Sequence, residues 1–152
     1  MTPPQENFAT LLATWFGCGR APKAPGTVGS IGALPVHFML RRLGAGPYAL
    51  ATLGLFAVGV WSSQREAERL GVEDPQSVVI DEVVGALIAM GLGSTGVGGA
   101  LLALGLFRVF DITKPSVIDD VQHAKPEGMG IMLDDVLAGL AAAATARVML
   151  RK

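Results

Sequence analysis

Apolar and small residues dominate three long stretches of the chain, and the charges gather in short clusters beside or inside them. A short periodic segment from about Asn7 to Trp15 predicts a helix that stops at the glycines of FGCGR. RAPKAPGTVGS, with two prolines and two glycines close together, predicts a loop, with a helix starting near Ser30. The chain is then apolar to Leu40, meets Arg41 and Arg42, and continues uncharged from Gly44 to Trp61. That uncharged stretch is about 18 residues, the lower limit for a membrane span. SSQREAERLG follows as an exposed amphipathic segment stopping at Gly71, and VEDPQS as a connecting loop.

SVVIDEVVGALIAMGL, the turn GSTGVGG and ALLALGLFRVFDITK, closed by Pro115, predict a helical hairpin. PSVIDDVQHAKPEGMG predicts a polar loop. A last helix is expected from about Ile131 to Leu150, where Arg147, Arg151 and Lys152 suit the negative end of its dipole. Alternation of the strand type is confined to pieces such as VVI and SVI. The expected class is therefore all-α: a multihelical bundle with apolar, membrane-embedded helices, in a single domain over residues 1–152.

Composition sharpens this picture. The chain has 152 residues, 51% of them hydrophobic and only 16% charged, whereas roughly a quarter of the residues of ordinary soluble domains are charged. Burial in something larger than the chain's own core, such as a bilayer, is the consequence. A formal net charge of -1 argues against a general nucleic-acid binder. The solitary Cys18 excludes an intrachain disulfide and a cysteine metal cluster, and reads as a small buried hydrophobe. MTPPQENFATLLATW lacks the pattern of a secretory signal or lipidation motif, so a cytoplasmic N-terminus is expected. Residues 1–60 contain one acid, Glu6, against Arg20, Lys23, Arg41 and Arg42; the remaining carboxylates fall between Glu66 and Asp135.

Those carboxylates carry the candidate chemistry. VIDEVVGALIA (79–89) aligns with MLDDVLAGLAA (132–142), each an acidic pair followed by apolar and small residues, which suggests equivalent roles and, more weakly, an internal duplication. An isolated carboxylate in apolar surroundings costs several kcal/mol unless it is paired, protonated or bound to a metal. Both pairs are expected in the first turns of their helices, where the dipole favours negative charge, and near a membrane interface rather than its centre. Gly85, Ala138 and Gly139 would let the helices approach closely. Asp81, Glu82, Asp134 and Asp135, joined by Asp111, make an oxygen-only donor set that suits Mg²⁺ or Mn²⁺ rather than zinc. The plainer alternative is that Asp81 and Asp134 simply cap helices.

Arg108, Asp111 and Lys114 share a helix face at spacing i, i+3, i+6, either as a surface ion-pair row or as bases gripping phosphate oxygens around a metal-binding acid. Arg20 and Lys23 precede Gly26, Thr27, Val28, Gly29 and Ser30 at an expected helix start, a candidate anion site built from backbone N–H groups and nearby cations. The loop lacks the Gly-Lys-Ser/Thr ending of a P-loop. His37 reads as a packed or interfacial histidine. His123, in the polar loop, fits a solvated residue or a proton donor equally. No Ser-His-Asp arrangement is evident.

LATWFGCGRAPKAPGTVGS, SVVIDEVVGALIA, and FRVFDITKP followed by GMGIMLDDVLAG together resemble the phosphatidylglycerophosphatase A family, in order and spacing, over about three-quarters of the chain. The resemblance implies a helical, Mg²⁺-dependent phosphatase that converts phosphatidylglycerophosphate into phosphatidylglycerol. It implies a phospholipid substrate and a bacterial inner membrane with the active site facing the cytoplasm, although soluble relatives with a similar fold also occur. The family's acidic motif positions fall on Asp81, Glu82, Asp111, Asp134 and Asp135, with Lys114 three residues after Asp111. The loop motif falls on Pro25, Gly26, Thr27, Gly29 and Ser30. One departure is visible: family members usually continue the Lys-Pro motif with a second proline and a nearby aspartate, where this chain has Val117 and Gln122. Either Asp119 or Asp120 replaces the missing acid, or that acid is dispensable.

The expected mechanism has Asp81, Asp134, and Asp111 or Asp135 holding Mg²⁺, and Glu82 or Asp135 accepting a proton from water. Arg20, Lys23 and Lys114 would neutralise the phosphoryl group. A covalent route through an aspartate or Thr27 stays open. So do two other readings: a phosphatase of a soluble phosphomonoester, and a small membrane transporter component with intramembrane carboxylates.

Overall fold

The computed structural model describes residues 7–72, 75–93, 96–113 and 127–151. Among them are α1 (Phe8–Ala13), a 3-10 turn (Cys18–Arg20), α2 (Pro25–Arg41), α3 (Ala45–Leu70), α4 (Ile80–Gly93), α5 (Val97–Thr113) and α6 (Glu127–Leu150), with no strand. The all-α expectation is met.

Several boundaries differ from the sequence reading, each for a packing reason. Helix α1 stops before Trp15, because Trp15, Phe16 and Gly17 turn the chain through positive φ. The Val79 N–H then donates to the Ala13 carbonyl at 2.8 Å, tying the end of α1 to the start of α4. PGTVGS is not a loop but the opening of α2, with Pro25 in the first turn and Ala24 as a left-handed N-cap at φ 48. Its glycines serve close packing: a Cβ on Gly29 would lie 2.7 Å from the Val79 Cβ.

The uncharged stretch and SSQREAERLG merge into one helix, α3, which ends at the left-handed Gly71 as expected. Ser62, Ser63 and Glu66 are buried rather than exposed. Glu66 accepts from the Thr10 hydroxyl of α1 at 2.8 Å and pairs with Arg69 at 2.6 Å, so its charge is compensated inside the fold. Helix α6 begins at Glu127, before the expected Ile131. The Gly128 N–H there donates to Gln64 Oε1 at 2.8 Å, and a Cβ on Gly128 would collide with the Val60 carbonyl.

Helix α4 is the axis of the bundle, with Val83, Val84, Ala86, Leu87, Ala89 and Met90 all inaccessible. Close contacts fix the directions around it. Gly85 meets the Asp135 carbonyl while Gly93 meets Ala143 and Ala146, so α4 and α6 run parallel. Gly85 meets Phe107 while Gly93 meets Ala103, so α5 runs antiparallel to α4, completing the expected hairpin. Tyr48 packs on Gly91 and Met132 on Gly59, which sets α3 antiparallel to α4 and α6. Gly26 approaches Glu82 near the N-termini of α2 and α4. His37 meets the Tyr48 hydroxyl at 2.8 Å, and that hydroxyl donates to the Leu87 carbonyl at 2.7 Å, so α2 also follows α4. His37 is thus a packed core histidine.

Helices α3 and α6 are long and apolar enough to cross a membrane. The most apolar window of α3 is only 11% buried within the protein, against 56% for α6. Leu50, Leu53, Val58 and Trp61 are left on the outer face of α3. An apolar outer face on a helix of this length is of the kind that a membrane or an apolar partner covers.

Candidate active site

Helix direction assembles the site. Because α4 and α6 are parallel, their acidic pairs sit at the same end of the bundle. Because α5 is antiparallel to α4, Asp111, close to its C-terminus, arrives at that end as well. Asp81 and Glu82 stand in the first turn of α4, as expected. Asp134 and Asp135 instead lie about two turns inside α6, since that helix starts earlier than its sequence suggested. The dipole argument therefore applies to the first pair and not the second.

Asp81, Glu82, Asp111, Asp134 and Asp135 line one cavity of about 470 Å³ with Arg108, Gly26, Pro25 and Ile131. Asp81, Asp111, Asp134 and Asp135 are buried, Asp135 with 1% of its surface exposed, while Glu82 is partly buried. Arg108 pairs with Asp111 one turn along α5. Glu82 Oε2, Asp135 Oδ2 and Arg108 Nε are buried without a hydrogen-bond partner. Burial raises the Glu82 carboxyl above the usual range; the Asp111 charge adds to this, whereas a hydrogen bond with Asp81 and the Arg108 charge oppose it. Unpartnered buried carboxylate oxygens are costly, and a hard cation would satisfy them. Carboxylate oxygens of Asp81, Glu82 and Asp135 lie within 4.8 Å of one another, as do those of Asp111, Asp134 and Asp135. The residues present therefore fit an oxygen-coordinated divalent ion such as Mg²⁺.

The other site candidates are distributed less evenly. Gly26 reaches the site: a Cβ there would stand 2.8 Å from Glu82 Oε1 and 3.2 Å from an Arg108 nitrogen. Thr27 and Val28 both donate their N–H to the Ala24 carbonyl at 3.1 Å, so the first turn of α2 has few amides left for an anion. Ser30 is buried and returns its hydroxyl to the Gly26 carbonyl at 2.8 Å, and Gly29 packs on Val79. Arg20 and Lys23 are exposed, Lys23 between the cavity-lining Pro22 and Ala24. Lys114, Val117, Asp119, Asp120, Gln122 and His123 lie outside the described residues. Sequence reasoning did not single out Pro75, Gln76, Val78 and Ile131 as cavity residues. Their position beside the acidic pairs was the only available signal.

Residues 11–150 match the family model for phosphatidylglycerophosphatase A. The chain belongs to the phosphatidylglycerophosphatase A family. It is 35% identical over 134 residues to phosphatidylglycerophosphatase A of Escherichia coli strain K12, covering 88% of this chain and 78% of that protein. It is 39% identical over 136 residues to phosphatidylglycerophosphatase A of Haemophilus influenzae, covering 88% of this chain and 83% of that protein. A Bacteroides thetaiotaomicron protein bearing the name "Putative phosphatidylinositol-3-phosphatase" is 38% identical over 139 residues, covering 86% of both chains. No solved structure matches. Phosphatidylglycerophosphatase A membership makes the chain a phosphatase, and the acid-lined cavity lies within the matched region.

Proposed function

We propose that the chain hydrolyses the terminal phosphomonoester of phosphatidylglycerophosphate at a membrane surface, using Mg²⁺ held by Asp81, Glu82, Asp111, Asp134 and Asp135. The observation that carries this reading is the convergence of five carboxylates and one guanidinium on a single cavity in a phosphatidylglycerophosphatase A family member. When bound there, the cation supplies Lewis acidity toward phosphate oxygens and a more acidic water.

The chain's own residues do the rest. Glu82, on the cavity wall, is placed to take the proton of the attacking water through the carboxylate oxygen that the cation leaves free. Arg108 donates to the phosphoryl oxygens as negative charge builds on them, and Asp111 orients its guanidinium. Gly26 leaves the wall beside Glu82 and Arg108 open to the headgroup, because any side chain there would crowd both. Lys23 and Arg20, exposed on the segment leading into the cavity wall, raise the local positive potential toward an anionic lipid. The apolar outer face of α3 meets the acyl chains.

The same proposal puts the site at the cytoplasmic face of a bacterial inner membrane. A Gln76→Cys variant in a Cys18→Ser background, with its thiol in the cavity wall, should react with an impermeant reagent in inside-out vesicles only.

The deciding experiment is phosphate release from phosphatidylglycerophosphate in mixed micelles, with and without Mg²⁺, for wild type and a folded Asp134→Asn variant. Mg²⁺-dependent release that falls at least about 100-fold in the variant is expected. The name of the Bacteroides relative favours a second substrate, so phosphatidylinositol 3-phosphate belongs in the same assay. Faster release from that lipid would replace the headgroup assignment, and release from a soluble phosphomonoester without detergent would remove the requirement for lipid.

A further inference from the structure

We propose that a second cavity, formed by α2, α3 and α4 at the end of the bundle away from the carboxylates, binds a phospholipid with an anionic phosphodiester and a hydroxyl-bearing headgroup. The phosphate meets Arg41 and the N-terminus of α3, the headgroup hydroxyl meets His37, and an acyl chain lies along Leu53, Leu87 and Ile88. The proposal depends on neither the metal nor the substrate of the acid-lined cavity.

The cavity has a volume of about 480 Å³, within the range of small-molecule sites. Two of its apolar lining residues, Leu53 and Leu92, keep about half of their surface or more exposed, as a wall open to an acyl chain would. Fifteen residues of α2 separate Gly26, beside Glu82, from Arg41, which is about 22 Å of helix. A phosphate held at Arg41 is therefore out of reach of the acids, and the two sites are separate.

Backbone and side chain together build the anion subsite. Gly44 and Ala45, at the N-terminus of α3, line the cavity. Among the described residues the N–H groups of Ala45 and Gly46 find no hydrogen-bond partner, no side chain caps the helix, and Pro47 has no N–H to offer. Free amides at the positive end of a long helix bind anions. Arg41, in the same cavity wall, is exposed and has no ion-pair partner among the described residues. No carboxylate lines this cavity or the adjoining one, which shares Gly91 and Leu92 and adds Arg147 and Arg151. The surroundings are thus positive throughout and complement a phosphodiester.

His37 is the independent sign of a ligand. It lines the cavity with 1% of its surface exposed, and its Nε2 is buried without a hydrogen-bond partner. The one hydroxyl proton of Tyr48 goes to the Leu87 carbonyl at 2.7 Å, so at its 2.8 Å contact with His37 the same oxygen accepts from Nδ1–H. In the neutral imidazole Nε2 is then a bare acceptor, and a buried acceptor is satisfied by an O–H or N–H donor. Arg41 follows His37 by one turn on the same face of α2, about 6 Å away at Cβ. That is the scale of a short polyol headgroup, so a phosphodiester on Arg41 can present its hydroxyl to Nε2.

The test uses the full-length protein in a non-ionic detergent and reads lipid binding by native mass spectrometry and thermal unfolding. The probes are phosphatidylglycerol, phosphatidylcholine, and phosphatidylmethanol, which keeps the anionic phosphodiester and lacks the hydroxyl. Phosphatidylglycerol should bind and raise the unfolding temperature, phosphatidylmethanol should bind about 3–10-fold more weakly, and phosphatidylcholine weaker still. Arg41→Gln, and Ala49→Phe, which fills the cavity from an exposed position, should each weaken phosphatidylglycerol binding at least about 10-fold. Circular dichroism checks that both are folded, and Asp134→Asn should bind as wild type does. Equal binding of phosphatidylcholine, or binding indifferent to Arg41→Gln and Ala49→Phe, overturns the site. Phosphatidylmethanol bound as tightly as phosphatidylglycerol overturns the contact with His37. Binding lost in Asp134→Asn and kept in Arg41→Gln puts the lipid in the acid-lined cavity, which overturns the second site and leaves the phosphatase reading standing. Because the comparison of lipids needs only wild type, the outcome does not depend on any variant folding.

Discussion

Replacing Gly139 by alanine adds one methyl group where α4 and α6 cross, and nothing flexible can yield to it. The new Cβ would stand 2.5 Å from the Gly85 carbonyl oxygen and 3.2 Å from its carbon. Ordinary contact begins at 3.4 Å, so the two backbones must separate by about 0.9 Å. Overpacking of this kind costs about 1–3 kcal/mol, offset by the ~1 kcal/mol that alanine gains over glycine inside a helix. The net loss of stability is therefore modest, at most about 2 kcal/mol. Activity should suffer more, because Asp81 and Glu82 lie one turn from Gly85, Asp135 lies one turn from Gly139, and a displacement of about 1 Å can cost ~100-fold in rate.

Gly105→Ala in α5 is the matched control. No atom stands within 4 Å of its added Cβ, and the site is exposed, so it should gain up to about 1 kcal/mol with activity unchanged. Thermal unfolding in detergent and phosphate release, measured on both variants, give the comparison. If Gly139→Ala behaves like Gly105→Ala in both assays, the crossing does not set the carboxylate geometry and the reasoning fails.

Chelation should lower the unfolding temperature of the protein, and Mg²⁺ at 100 times its dissociation constant should restore about 2.7 kcal/mol; a melting curve indifferent to both would refute the cation site. Asp134→Asn, which removes one of several crowded negative charges, should raise the stability of the metal-free protein while reducing activity; a loss of metal-free stability in chelator would contradict this. Glu66→Ala should cost about 1–3 kcal/mol by removing the buried acceptor that Thr10 and Arg69 share, and chemical denaturation would measure it; a cost below about 1 kcal/mol would make the cluster no better than a surface pair. Tyr48→Phe should cost about 1–3 kcal/mol in the same assay, because it strands His37 Nδ1 and removes the link from α3 to the Leu87 carbonyl; an unchanged denaturation midpoint would show that the link is idle.

Much of the architecture was legible in one dimension. The hairpin of α4 and α5, the stop at Gly71 and the helical class all follow from apolar runs and their punctuation, which are local properties. Two misread boundaries, the starts of α2 and α6, share a cause: glycine was taken as a sign of flexibility where it marks close approach. Gly26 and Gly29 lie inside α2 because Glu82, Arg108 and Val79 leave no room for a Cβ, and Gly128 lies inside α6 because the Val60 carbonyl does the same. Glu66 was read as exposed because its helix partners, four residues or fewer away, gave no sign that α1 would cover it.

For the site, residue identity and spacing were enough to nominate five carboxylates and to connect them with phosphate chemistry. The amino-acid sequence by itself determined the donor type, oxygen rather than nitrogen or sulfur, since that depends only on which side chains are present near apolar helix sequence. Only the tertiary structure decided that α4 and α6 are parallel, that α5 returns Asp111 to the same end, and that Asp135 is common to two oxygen clusters. It also decided that Arg108 and Gly26 line the cavity while Thr27 and Ser30 spend their hydrogen bonds on the helix backbone. The reason is physical: a helix sequence specifies which of its faces is apolar, but the direction, crossing and depth of its neighbours arise from long-range packing, and the coincidence of charges from three helices exists only after that packing is complete.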